Sequence, residues 1–188
     1  DVGFSQLSTA FVTGARVVLH DYFLPKDLLK VVESEKVNCI TGVPPFWMQL
    51  ADLEWPSSIG SQIRYFANTG GKMPRSLLDR LRARFPNARP YLMYGLTEAF
   101  RSTYLPPEEV DRRPDSIGKA IPNVELRVLH ADGSEAATGE HGEIVARGDV
   151  GRTFSEEELG AMPVKTPAER DLIGKEALSH TVKFVVER

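Results

Sequence analysis

The chain has 188 residues, 41% hydrophobic and 26% charged, a balance that supports a buried core and excludes a largely disordered chain. Its 23 basic and 26 acidic residues give a formal net charge of −3 and are interspersed, so no basic stripe points to a nucleic-acid partner. Cys39 is the single cysteine and no apolar run approaches the roughly 18 residues of a membrane span, while Asp1-Val2-Gly3-Phe4 resembles no signal peptide; a cytoplasmic location is expected.

Arg16-Val17-Val18-Leu19-His20 is a short β-branched run that predicts a buried strand. Pro25 suits a first helical turn, and Leu28, Leu29 and Val32 then share a face, so Lys26 to Lys36 is expected to be helical. The alternation continues with a strand at Val37 to Thr41 holding Cys39, a helix from near Pro45, a strand near Ile63 to Ala67 and a helix from Pro74 to Phe85. In that last helix Leu77, Leu78, Leu81 and Phe85 form an apolar stripe, while Arg75, Asp79, Arg80, Arg82 and Arg84 read as a solvated face. Repeated strand-helix units predict an α/β fold, a mainly parallel sheet flanked by helices, with ligands beyond the carboxyl ends of the strands.

Past Arg112-Arg113-Pro114 the pattern changes to an alternating strand at Val124 to Val128, the turn residues Asp132-Gly133 and a second strand at Glu143 to Arg147, which predicts a small antiparallel β subdomain. Thr166-Pro167-Ala168-Glu169 has the residues of a helix start, and Thr181 to Val186 those of a strand. The expected organisation is an α/β part over 1–113, a small β subdomain over 114–150 and a helix-plus-strand tail over 151–188.

Two segments carry candidate chemistry. Asn68-Thr69-Gly70-Gly71-Lys72-Met73-Pro74 joins a predicted strand to a predicted helix, and its paired glycines permit positive φ and close approach of a base or phosphate, although such pairs also make plain turns. At Tyr91-Leu92-Met93-Tyr94-Gly95-Leu96-Thr97-Glu98 an apolar strand runs directly into a polar constellation. Tyr94 offers a face to a base, Gly95 gives clearance, Thr97 has a hydroxyl for a phosphate, and Glu98 is a hard oxygen ligand for magnesium. His20, His130, His141 and His180 show no metal-ligand spacing, and no Gly-x-Ser-x-Gly elbow supplies a hydrolase nucleophile.

Tyr94 to Glu98 matches the Tyr-Gly-x-Thr-Glu motif of the adenylate-forming superfamily, which the chain resembles; that superfamily includes acyl-CoA and aryl-CoA ligases and peptide-synthetase adenylation domains. Other segments agree in order. Asp1-Val2-Gly3-Phe4 is similar to the family's substrate-pocket segment, Thr13 to Val18 to the turn and strand that follow, and Gly42-Val43-Pro44-Pro45 to the loop before a helix lining the acyl pocket. Gly70-Gly71 resembles its adenine-side loop, and Ile117-Gly118-Lys119-Ala120 and Gly142 to Gly148 its β-subdomain motifs. The resemblance implies attack of a carboxylate on the α-phosphate of ATP, giving an acyl-adenylate and pyrophosphate, commonly with transfer to coenzyme A, and magnesium offsetting phosphate charge. Carried over by residue, Tyr94 and Gly95 border the adenine of ATP or AMP, as do Gly70 and Gly71, which also border the acyl group. Thr97 contacts phosphate, Glu98 binds magnesium, and these two are the catalytic candidates. Asp1, Phe46 and Trp47 are candidates for the pocket that takes the carboxylic acid, with a core role equally open for the two aromatics.

The resemblance covers about residues 1–148; the family's Ser/Thr/Gly-rich phosphate loop, its Thr-Gly-Asp segment and its lysine-bearing small domain have no counterpart here. The expectation is a partial adenylation core without independent activity, the alternative a non-catalytic nucleotide-binding or protein-interaction module. A sheet cut in this way exposes an edge and apolar area, so self-association is expected.

Overall fold

The computed structural model describes residues 2–96, 101–148 and 181–186. Helix α1 (Val2–Thr13) ends at Gly14, whose φ of +68° turns the chain into strand β1 (Arg16–Asp21). Pro25 and Pro44, which lack the N–H that a first helical turn leaves unpaired, open α2 (Pro25–Ser34) and α3 (Pro44–Asp52), and β2 (Cys39–Gly42) lies between them. Then come α4 (Ser57–Gln62), β3 (Tyr65–Asn68), α5 (Arg75–Arg84) and β4 (Arg89–Tyr94). Strand β5 (Thr103–Leu105) precedes a 3-10 turn (Pro107–Glu109) and the short β6 (Lys119–Ala120), after which β7 (Val124–Leu129), β8 (Glu143–Gly148) and β9 (Thr181–Val186) complete the described elements.

The main sheet has seven strands in the order β1-β9-β2-β3-β4-β5-β6. Strands β2, β3 and β4 pair in parallel, with Ile40 beside Phe66 and Phe66 beside Pro90. Strand β9 is antiparallel to both β1 and β2, and β5 is antiparallel to β4 and β6. Thus β1, β2, β3, β4 and β6 share one direction, and the mainly parallel sheet flanked by helices is as expected. Strands β7 and β8 form the separate two-stranded antiparallel sheet, registered from Val124 opposite Gly148 to Leu129 opposite Glu143.

The core lies between the sheet and α2, α3 and α5. Trp47, Phe66 and Phe85 are fully buried, with ring centroids 5.5 Å apart for Trp47 and Phe66 and 6.0 Å for Phe66 and Phe85. Leu28 and Val32 of α2 and Leu77, Leu78 and Leu81 of α5 fill the remainder, the stripes that their spacing predicts. Three arginines of α5 make ion pairs: Arg75 reaches Asp79 at 3.1 Å and Asp111 at 2.8 Å, Arg82 reaches Asp111 at 2.9 Å, and Arg80 pairs with Asp52.

Three differences from the sequence reading have physical causes. Strand β1 is only half-buried, with Leu19 62% exposed, because it lies at the edge of the sheet. Helix α1 was not expected; it is held by packing of Ala10 against Cys39, with Ala15, Val17 and Tyr65 around them. Helix α4, also unexpected, buries Ile59 and brings Gly60 so close to the Arg84 carbonyl that a Cβ there would lie 2.1 Å from its oxygen. The helix expected from Thr166 lies outside the described residues.

Candidate functional site

The carboxyl ends of β3 and β4 open on one cleft, and the loop after β2 packs against the loop after β3. At the end of β3, Asn68 is 2% exposed, and its Nδ2 donates to the Gly71 carbonyl at 2.8 Å, closing the loop upon itself. The Thr69 N–H donates to the Gly42 carbonyl at 3.1 Å, so this loop is stitched to the one after β2. Gly70 has a φ of +71°, and a Cβ there would lie 3.0 Å from Val43 Cγ1; at Gly71 it would lie 3.1 Å from Pro44 Cγ. The two glycines therefore allow the β2 and β3 loops to pack together while leaving backbone facing the cleft.

On the other side, the Ser102 N–H donates to the Tyr94 carbonyl at 2.9 Å, returning the chain from the end of β4 into β5. Thr103 is fully buried, and its Oγ1 donates to the Ile117 carbonyl at 2.5 Å, drawing the 116–118 turn onto β5. Gly118, with φ +87°, lets that turn press so close that a Cβ would stand 2.0 Å from the Tyr104 oxygen. Between these walls is a cleft of about 650 Å³ to which Gly70, Gly71, Tyr94, Gly95, Arg101 and Ile117 contribute.

Lys72 spans the mouth to Asp115 at 2.6 Å and holds the Asp115 carboxyl below the usual carboxylate range, mainly through their hydrogen bond. Deeper in, Arg101 lines the cleft, and burial pushes its guanidinium below the usual arginine range. Among the described residues Asn68 Oδ1 is a buried acceptor without a partner, and it lies in the wall of the same cleft. Unpartnered buried acceptors are rare, and this one is suited to an N–H or O–H donor of a bound molecule.

Of the residues singled out in the sequence, Gly70, Gly71, Tyr94 and Gly95 come together here. Phe46 (8% exposed) and Trp47 (0%) lie in the core, where their rings are 5.3 Å apart, and neither lines the cleft. Phe46 nevertheless touches the loop above, since a Cβ on Gly42 would lie 2.3 Å from its ring. Asp1, Thr97 and Glu98 lie outside the described residues. Asn68, Lys72, Arg101 and Asp115 were not singled out; only the loop containing Asn68 and Lys72 carried a signal.

The family model described as AMP-binding enzyme matches residues 1–153. Indoleacetate--CoA ligase of Aromatoleum aromaticum is 30% identical over 77% of this chain and 28% of its own length. 4-Coumarate--CoA ligase 1 of Glycine max is 31% identical over 72% of this chain and 48% of its own length. Among solved structures, o-succinylbenzoate CoA synthetase (MenE) from Bacillus subtilis in complex with the acyl-adenylate OSB-AMP superposes with a TM-score of 0.67 at 28% identity, over 78% of this chain and 30% of that one. The same enzyme with ATP and magnesium ion gives 0.70 at 26% identity, over 88% and 34%. The chain belongs to the AMP-binding family of adenylate-forming ligases, the class that its sheet and glycine-lined cleft define. It spans between a quarter and a half of the length of these two curated relatives.

Proposed function

We propose that this chain forms the adenine side and part of the acyl side of the active site of an ATP-dependent ligase that activates a carboxylic acid. The observation that carries this reading is the meeting of the Gly70-Gly71 loop with Tyr94 and Gly95 across one cleft at the strand ends. Tyr94 packs on the base, the two glycines border it with bare backbone, and Asn68 Oδ1 accepts a hydrogen bond from a ligand donor. In the parent reaction a carboxylate oxygen of the acid bonds to the α-phosphorus of ATP as the bond to pyrophosphate breaks, giving the acyl-adenylate; coenzyme A is the thiol acceptor that follows. Thr97 contacts phosphate and Glu98 holds magnesium in this reading, both by correspondence with the family motif. A bound magnesium ion supplies charge compensation on the phosphates.

Around phosphate, transition-state stabilisation depends on several groups held together. The chain spans 28% and 48% of the length of the two curated relatives, and the proposal for these 188 residues is nucleotide binding with little turnover. Acid-dependent exchange of labelled pyrophosphate into ATP, run beside calorimetric titration with AMP, tests both parts. AMP binding without exchange is the expected result. Exchange well above background contradicts the second part, and no AMP binding by the folded chain contradicts the first.

A further inference from the structure

One ion pair joins the two walls of the cleft. Lys72 Nζ lies 2.6 Å from Asp115 Oδ1, and both residues line the cleft although they are far apart in sequence. Their side chains are 72% and 79% exposed, which puts the pair at the solvent end, and among the described residues each is the other's ion-pair partner.

Both side chains rise from anchored backbone. Lys72 follows Gly71, whose carbonyl takes the Asn68 Nδ2 hydrogen bond. It precedes Met73, which is 5% exposed in the core, and Pro74, whose carbonyl accepts from the Leu78 N–H at 3.0 Å as α5 begins. Asp115 follows Pro114, whose ring fixes φ. It precedes Ser116, whose N–H donates to the Arg113 carbonyl at 3.0 Å and whose Oγ accepts from the Gly118 N–H at 3.0 Å. The mouth can therefore change width by rotation of two exposed side chains while the strands stay in place. Exposed ion pairs add little to stability, because water weakens the attraction and a long side chain loses rotamer freedom. This pair is a poor brace for the fold, yet it stands between the Gly70-Gly71 loop and the 114–118 turn.

We propose that Lys72 and Asp115 form a side-chain strap that gates the cleft. Closed, the pair narrows the mouth; open, it admits a small molecule. The strap follows from the geometry of the cleft walls and not from what the cleft binds, so it stands apart from the nucleotide reading.

Thiol labelling tests the strap without a ligand. Thr69 is 8% exposed and lines the cleft, so Thr69→Cys places a thiol in its wall, while Cys39, 2% exposed in β2, is the internal control. Labelling by iodoacetamide, a small neutral reagent, is followed by mass spectrometry. In the Thr69→Cys chain, Lys72→Met and Asp115→Asn are each expected to speed labelling about 2–5-fold, the range that a weak exposed pair permits. Exchanging the charges, Lys72→Asp with Asp115→Lys, should restore the slow rate. Salt at about 1 M, where the screening length is about 3 Å, should speed labelling with the native pair but not in the single variants. The two single substitutions change the local charge in opposite senses. A rate that rises in one and falls in the other would reflect the field on the thiolate and overturn the proposal, as would unchanged rates in both. An acceleration shared by Cys39 would mean a loosened sheet in place of an opened mouth, and would overturn it too. Met93→Cys, at another cleft-lining position, carries the same comparison and the same outcomes should Thr69→Cys lower the melting temperature.

Discussion

Asn68 Nδ2 donates to the carbonyl of Gly71 at 2.8 Å while its own Oδ1 stays buried in the cleft wall, unpartnered among the described residues. One side chain thus fixes the glycine loop and offers an acceptor beside it. Asn68→Ala removes both, and the Gly71 carbonyl loses a part-buried donor. We expect a loss of about 1–3 kcal/mol in stability, read by urea denaturation, together with weaker AMP binding. Unchanged stability would mean that the loop is held by its packing on Val43 and Pro44 alone.

Glycine positions with the same backbone hand should differ in cost. Gly118 and Gly133 have φ of +87° and +84°, but a Cβ on Gly118 meets the Tyr104 oxygen at 2.0 Å while one on Gly133 meets nothing within 4 Å. Gly133→Ala should therefore cost only the left-handed strain, about 1–2 kcal/mol. Gly118→Ala must also displace β5 backbone and should lower the melting temperature further and open the cleft wall. Equal melting temperatures would contradict the close approach.

Aromatic packing around Phe85 gives a core prediction. Phe85 is fully buried, with its ring 4.6 Å from Trp55 and 6.0 Å from Phe66. Phe85→Ala should cost about 3–5 kcal/mol, measured by chemical denaturation, whereas Phe23→Ala should cost little because Phe23 is 77% exposed.

Asp111 ties α5 to the loop after the 3-10 turn, and its carboxyl is held below its ordinary 3.8, first by the hydrogen bond from Arg82 and then by that from Arg75. A depressed carboxylate contributes stability that is complete above its unfolded pKa and is lost as pH falls through the lower folded value. Melting temperature should therefore drop more steeply on acidification in the wild-type chain than in Asp111→Asn. The two curves should converge in acid, and parallel curves would show that the pairing adds nothing.

The strand-helix alternation was legible because α2 and α5 show their buried stripes directly, in Leu28 and Val32 and in Leu77, Leu78 and Leu81. Helix α1 was not, since Val2–Thr13 has no acidic first turn and is ordered by contacts of Ala10 with residues remote in sequence. A β-branched run such as Arg16 to His20 reads as buried wherever it lies, and only the sheet order reveals that β1 is an edge. At the site, Gly70, Gly71 and Tyr94 were readable from residue type and position at strand ends. Arg101 and Asp115 were not, because their meeting depends on the return through β5 and the turn drawn in by Thr103. Phe46 and Trp47 illustrate the same limit, as an aromatic after a loop faces core or cleft according to helix rotation.

The central claim is that the Gly70-Gly71 loop and Tyr94 together hold the base of a nucleotide. Backbone amide spectra recorded during titration with AMP test it most directly, in the wild-type chain and in Tyr94→Ala. We predict saturable shifts concentrated at Gly70, Gly71, Tyr94 and Gly95, and an affinity loss in Tyr94→Ala of about 1–3 kcal/mol, the worth of one base stacked on an aromatic ring. Shifts centred elsewhere on the sheet, or an affinity that Tyr94→Ala leaves unchanged, would contradict the account.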